Sequence, residues 1–198
     1  MLKKTDFIND FVKNRISEKR YIHSCGVASV CKTILDHYGK PDETYNGICS
    51  SYFCGMCHDL GREISDSKII EYCKNNNINL TEEETNAPVL AHGKVSATIA
   101  QQLIPGYPAQ WKKAIEEHTC GSIEMSDLSL ALFVADYIEP SRTFMTDEKR
   151  AFYLSRPSLE ECAYEVLLSM VKHWEEKENF TPSANSKNML QWLEEYKR

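Results

Sequence analysis

An imidazole and a carboxylate, His58 and Asp59, close a stretch that is otherwise built to be buried, Ile48-Cys49-Ser50-Ser51-Tyr52-Phe53-Cys54-Gly55-Met56-Cys57. An ionised aspartate beside an apolar helix is costly unless it is paired or bound to a metal. Any fold of this chain must therefore bring a partner to that point. Leu60-Gly61 follows, so the pair stands where a helix is about to stop. Asp136 makes the same demand, because it interrupts Leu130-Ala131-Leu132-Phe133-Val134-Ala135-Asp136-Tyr137. For Asp136 the alternative to a metal is an ion pair with an arginine.

The spacing of apolar residues predicts an all-α chain. Thr5 or Asp6 caps a first helix carrying Phe7, Ile8, Phe11, Val12 and Ile16, and a second carries Tyr21, Val27, Val30, Ile34 and Leu35 up to Gly39-Lys40-Pro41. A third is expected from Asp42 or Thr44 to His58-Asp59, and a fourth from Ser65-Asp66 to Asn75-Asn76-Asn77. Ala87-Pro88 opens a fifth that runs through His92 to Leu103. Pro108 opens a sixth ending at His118-Thr119-Cys120-Gly121. Ser126-Asp127 caps a seventh that Pro140 stops near Glu139. Two or three helices follow, the last beginning after the polar segment Thr181 to Ser186. No run alternates cleanly at the strand period, and no repeat or linker divides the 198 residues, so one domain over residues 1–198 is expected, with its motifs in 20–145 and residues 146–198 completing it.

Composition excludes several classes. Hydrophobic residues make up 42 %, enough for a core without disulfides, and the eight cysteines follow no disulfide or zinc grammar. Cys54-Gly55-Met56-Cys57 lies mid-helix without a second pair, so both thiols are read as small buried hydrophobes. Met1 to Asp6 does not read as the start of a signal peptide and no apolar run of about 18 residues appears, so a cytoplasmic protein without a membrane partner is expected. The net charge is −6 and no basic stripe appears, which speaks against nucleic acid.

Three further histidines complete a pattern. His23 shares a helix face with Arg20, and His92 and His118 each end or interrupt an amphipathic helix. A lone helical histidine is ordinarily a satisfied core or surface residue. Together with His58, Asp59 and Asp136, however, these side chains form a mixed nitrogen and oxygen set suited to a first-row transition metal. With His92 and His118 as ligands for a second ion, two metals could share one hydroxide and clamp a phosphate oxygen. The set points to a metal-dependent hydrolase.

The chain resembles the HD-domain metal-dependent phosphohydrolases, and within them the YqeK family. The resemblance rests on Arg20-Tyr21-Ile22-His23, His58-Asp59-Leu60-Gly61-Arg62, His92-Gly93, Ala114-Ile115-Glu116-Glu117-His118-Thr119-Cys120-Gly121, Met125-Ser126-Asp127-Leu128 and Ala135-Asp136-Tyr137-Ile138-Glu139-Pro140-Ser141-Arg142. It implies an HD-type helical bundle with a metal site at its centre, and a symmetrical diadenosine tetraphosphate hydrolase that makes two ADP. It implies a di-iron-type centre held by His23, His58, Asp59, His92, His118 and Asp136, with Mn, Co or Zn as other ions the set accepts. His58, Asp59 and Arg142 would take part in catalysis, in which metal-bound hydroxide attacks a central phosphorus. Nucleotide would be held by Arg20, Asp59, Leu60, Gly61, Arg62, His92, His118, Thr119 and Arg142, and by the segment Pro182, Ser183, Ala184, Asn185, Ser186 and Lys187. The helix start near Ser183 is expected to offer exposed N–H groups to an anion.

The chain departs from the family at Cys54-Gly55-Met56-Cys57, where Ala-Gly-Leu-Leu is usual, and a packing role is expected. Lys94 is read as solvated rather than as a phosphate contact, Glu82-Glu83-Glu84 as a solvated helix-start face, and His37 and His173 as surface residues. The C-terminal aromatics Tyr153, Tyr164, Trp174, Phe180 and Trp192 are expected to complete the core, with a homodimer face as the alternative. The rival functions are another HD phosphohydrolase, either a nucleotidase or a phosphodiesterase, and a non-catalytic nucleotide sensor.

Overall fold

The computed structural model describes residues 5–178 and 181–196, and among these the chain is mainly helical. α1 (Asp6–Lys13) and α2 (Glu18–His37) come first. A hairpin of two-residue strands, β1 (Thr44–Tyr45) and β2 (Ile48–Cys49), leads into α3 (Ser50–Cys57). α4 (Asp66–Asn75), α5 (Glu82–Asn86), a 3-10 turn over Pro88–Ala91, α6 (His92–Ala100) and α7 (Ala109–Glu117) follow. α8 (Asp127–Ile138), α9 (Asp147–Leu154), α10 (Leu159–His173) with a π-helical extension over Trp174–Glu178, and α11 (Ala184–Glu194) complete the order. No helix among the described residues is long and apolar enough to cross a membrane.

The expected third helix is corrected by the structure. It begins at Ser50, because Asn46 (φ 53°) and Gly47 (φ 76°) turn the chain into a hairpin first. Asp42 still caps it, from eight residues upstream. Its carboxylate accepts from Ser51 N at 2.9 Å, Ser50 Oγ at 2.8 Å and Ser51 Oγ at 2.7 Å. The expected fifth helix is also divided, into the 3-10 turn and α6, which ends at Ala100 rather than Leu103.

α2 buries His23, Ser24, Val27, Ala28, Cys31, Ile34 and Leu35, one face at helical spacing. Against it lies α3, buried along nearly its whole length. Their approach is close enough that a Cβ on Gly55 would stand 2.4 Å from Ala28 Cα. α8 carries buried residues from Leu128 to Ile138 and touches α2, α7 and α10, which makes it the central helix. Cys54 and Cys57 are fully buried, and burial pushes both thiols up, so they stay protonated core residues.

The C-terminal helices dock on this frame. α11 inserts Met189 and Leu193, and Ser186 Oγ donates to Cys120 O at 2.9 Å. Gly121 has a φ of 70°, and a Cβ there would meet Met189 Sδ at 2.1 Å. Tyr153 and Tyr164 are buried and Trp174 and Trp192 half-buried, while Phe180 lies outside the described residues.

Candidate metal centre

Three histidines share one local device. His58 caps the end of α3, His92 opens α6 and His118 caps the end of α7. Each donates Nδ1–H to the carbonyl three residues earlier: His58 to Gly55 O at 2.7 Å, His92 to Val89 O at 2.6 Å and His118 to Ile115 O at 2.7 Å. Spending the proton on the backbone leaves Nε2 as a lone pair aimed inward. His23, on α2, gives its Nδ1–H to a carboxylate instead, Glu139 Oε1 at 2.9 Å.

The four Nε2 atoms converge in two pairs, His23 with His58 and His92 with His118, each 3.2 Å apart. Between the pairs stands Asp59. Its Oδ2 lies 3.3 Å from His58 Nε2 and 3.5 Å from His23 Nε2, while Oδ1 lies 3.3 Å from His92 Nε2 and 3.8 Å from His118 Nε2. Asp136 Oδ1 closes the first half, 3.0 Å from His23 Nε2 and 3.8 Å from His58 Nε2. Two overlapping triads, His23–His58–Asp136 and His58–Asp59–His118, have ligand atoms within 4.8 Å of one another.

The residues fit cations. Two imidazole lone pairs face to face, as in His92 and His118, repel unless a positive centre stands between or beside them, and two carboxylates add the charge to hold one. The nitrogen and oxygen set suits a divalent first-row ion. The sequence-predicted ligands are all buried except Asp136, whose side chain is 24 % exposed. The cluster therefore opens to solvent on the Asp136 side.

Charge is balanced within the cluster. Burial alone would raise the Asp59 and Asp136 carboxyls, but the imidazoles around it, His58 foremost and then His118 and His23, hold Asp59 well below the usual carboxylate range. Hydrogen bonding to His23, with His58 and Arg142 nearby, does the same for Asp136. Burial pulls His23 down, yet its bonds to Asp136, Asp59 and Glu139 win and push it up to about 10. Burial lowers His92 despite Asp59 beside it, which favours the neutral imidazole.

Arginines rim the cluster. Arg20 Nη1 donates to Asp59 Oδ2 at 2.6 Å, and Arg142 pairs with Asp136 through Nη2 and bonds Asp136 O through Nε at 2.9 Å. The two alternatives for Asp136, arginine partner and ligand cluster, thus coexist. Among the described residues the Arg62 side chain makes no hydrogen bond or ion pair. Leu60 and Gly61 are buried, and Gly61 N donates to Ser96 Oγ at 2.8 Å. Thr119 Oγ1 lies 3.2 Å from His92 Nε2.

Of the expected nucleotide segment, Ser183, Ala184 and Asn185 line a cavity of about 510 Å³ with Cys120 and Gly121. Pro182 and Ser186 are buried, and Lys187 is exposed. At that helix start Ala184 N meets the Glu83 carboxylate at 3.1 Å and 3.2 Å, so the anion facing this N–H is one of the chain's own. The glutamate run is likewise not simply solvated. Glu84 closes a capping box with Thr81 and pairs with Lys94 at 2.6 Å. Lys94 is held by that pair and by Asn79 O at 3.0 Å. His37 and His173 are exposed.

Sequence reasoning gave Glu139 no place in the site. It is wholly buried, binds His23, and accepts from Ser141 N at 2.6 Å and Ser141 Oγ at 2.5 Å. A glutamate ahead of Pro140 at the end of an apolar helix was the available signal.

The HD domain family model matches residues 20–141, more than half of the chain, and spans all six clustered residues. The chain belongs to the HD domain family. It is 28 % identical over 156 residues to the symmetrical bis(5'-nucleosyl)-tetraphosphatase of Staphylococcus aureus (strain NCTC 8325 / PS 47), covering 78 % of this chain and 76 % of that one. The enzyme of the same name from Bacillus subtilis (strain 168) is 26 % identical over 133 residues, 67 % of this chain and 68 % of the other. A crystal structure described as a predicted HD superfamily hydrolase involved in NAD metabolism, from Clostridium acetobutylicum, superposes over the full length of both chains with a TM-score of 0.85 and 27 % identity. This HD protein is thus a distant relative of the symmetrical tetraphosphatases, with a histidine and aspartate cluster suited to divalent metal ions.

Proposed function

We propose that this HD protein is a metal-dependent hydrolase that splits diadenosine tetraphosphate symmetrically into two ADP. The observation that carries the reading is Asp59, whose two oxygens face two separate histidine pairs. Asp59 would serve both halves of the site in holding divalent ions, with iron as the first candidate. His23, His58 and Asp136 would complete one half, and His92 and His118 the other. Bound there, the ions would supply Lewis acidity toward phosphate oxygens and would acidify water.

The chain's own groups do the rest. Arg20 and Arg142 stand at the rim with side chains 25 % and 30 % exposed, so their forked donors can reach phosphate oxygens of a chain lying over the cluster. Arg62, three residues after Asp59 and without a side-chain partner among the described residues, would add a third guanidinium. Glu139 fixes His23, and the carbonyls of Gly55, Val89 and Ile115 fix the other three rings, so the donors hold their positions while charge develops. Attack of water on one of the two central phosphorus atoms would break its bond to the bridging oxygen between them, so that one ADP leaves and the attacked half, now carrying the water oxygen, is the second ADP.

The relatives support the same substrate class, since both curated proteins carry the name of that activity. The test is a product assay on protein reconstituted with Fe(II), Mn(II), Co(II) or Zn(II). ADP as sole product from diadenosine tetraphosphate is expected. ATP with AMP, or phosphate released from nucleoside monophosphates in preference, would contradict the proposal.

A further inference from the structure

Two exposed aromatic residues, Phe144 and Phe152, belong to one run of neighbouring rings. Ring centroids lie 5.4 Å apart between Phe144 and Tyr137, 5.8 Å between Tyr137 and Tyr153, and 5.4 Å between Tyr153 and Phe152. The Phe152 end is occupied, with the Arg156 guanidinium 4.4 Å from its ring centroid. The Phe144 end borders the metal cluster. Tyr137 directly follows Asp136, the ligand at which the cluster opens to solvent, and Phe144 comes two residues after Arg142, which pairs with Asp136. Two residues of chain span about 7 Å at most, so the Phe144 backbone stays within that distance of Arg142.

The position of Phe144 is set by its backbone. Met145 N donates to Arg142 O at 3.0 Å, Lys149 Nζ donates to Phe144 O at 3.3 Å, and the buried Met145 anchors the turn in the core. Phe144 is nonetheless 48 % exposed. A ring held in place before anything lands on it gives up little freedom on binding. A flat, uncharged π-system is the partner such a surface suits, since every base offers a face that stacks on an aromatic side chain. Two exposed rings offer at most about 500 Å², short of the roughly 800 Å² that each partner buries in a stable subunit contact.

We propose that Phe144 is a stacking platform for one base of a dinucleoside polyphosphate, the base of the half whose phosphates lie on Arg142. This rests on the dinucleotide-hydrolase reading of the metal cluster. A phosphate chain laid over the opening at Asp136 carries a nucleoside at each end, and the end that leaves past Arg142 meets the exposed Phe144 ring. Stacking there favours ligands with a base at both ends over bare phosphate chains.

The test is calorimetric titration of metal-reconstituted protein with two ligands. One is diadenosine tetraphosphate whose central bridging oxygen is replaced by a methylene group, so that the central bond resists hydrolysis. The other is inorganic tripolyphosphate, which carries no base. Phe144→Ala should weaken the dinucleotide analogue about tenfold, the range of one base stacked on one aromatic side chain. It should leave tripolyphosphate within about twofold of wild type, since no stacking is lost there. Phe144→Trp should restore the analogue, and Phe152→Ala should leave both ligands unchanged. A Phe144→Ala protein that binds the analogue as wild type does overturns the proposal, as does one that loses both ligands alike. So does a change in sedimentation from dimer to monomer with the analogue's affinity intact, which would make Phe144 part of a subunit face. A Phe144-dependent affinity in a protein that makes no ADP from diadenosine tetraphosphate would uphold the platform and reject the activity instead.

Discussion

His23 and Glu139, 116 positions apart in sequence, are joined in the interior by a 2.9 Å hydrogen bond from Nδ1 to Oε1. The bond fixes the imidazole so that Nε2 faces His58 and Asp136. Groups that orient a ligand in this way typically contribute 10–100-fold to metal affinity or activity, roughly. Glu139→Gln should therefore lower metal affinity or kcat/KM by about that factor in a folded protein. Gly26→Ala should do so indirectly, because its Cβ would stand 2.5 Å from Glu139 Oε2. Chelator competition and steady-state kinetics check both, and unchanged values would refute the orienting role.

Arg20→Ala and Arg142→Ala should separate phosphate binding from metal binding. Each should lower kcat/KM for diadenosine tetraphosphate by about 10–100-fold, the loss of a charge-assisted hydrogen bond. Metal content should stay at the wild-type level. Kinetics paired with elemental analysis decides, and full activity in both variants would remove the arginines from the account.

The metal-free protein should have a bounded pH range of greatest stability. His23 is raised from 6.5 to about 10, so its contribution is complete below about pH 6.5 and lost as pH climbs through about 10. Asp59 and Asp136 are lowered from 3.8, so theirs is present above about pH 3.8 and lost as pH falls. Chelator-treated protein should thus be most resistant to urea at about pH 6.5, weakening toward about pH 9 as His23 loses its proton and toward acid because buried His92, lowered from 6.5, resists the proton that the unfolded chain takes up. Metal-loaded protein should lack the alkaline decline, since an ion replaces the His23 proton. Parallel alkaline declines in both forms would contradict this.

Gly121→Ala should destabilise the fold by about 1–3 kcal/mol, because φ is 70° there and the new Cβ would meet Met189. The loss should appear in equilibrium urea unfolding and should loosen α11 from the His118 turn. A substitution without effect on stability would show that this contact does not hold α11.

Helix ends were well marked in the sequence. Asn75 to Asn77 and Pro140 each stop a helix for a local reason, and Ser126 accepts from Ser129 N as a cap should, whereas α3 ends at Cys57, ahead of Gly61, and α6 at Ala100, ahead of Pro105-Gly106. The hairpin was hidden because Asp42 looks like an adjacent cap and in fact acts across eight residues. Asn46-Gly47 was the overlooked signal. His23, His92 and His118 were singled out only as completing a ligand set with His58, Asp59 and Asp136, which stood out as polar interruptions of apolar segments. Glu139 did not, since Pro140 explained it as a helix end and its partner is on α2. The same blindness to long-range pairing concealed Glu83, which meets Ala184 from 101 residues away.

If Asp59 serves both histidine pairs in holding metal, the number of ions per chain reports it. Elemental analysis of reconstituted wild type, His92→Ala and Asp59→Ala, each shown to be folded by circular dichroism, should give about two, one and none, from one carboxylate shared by two half-sites. Wild-type protein saturating at a single ion, or an Asp59→Ala protein that keeps both, would contradict it.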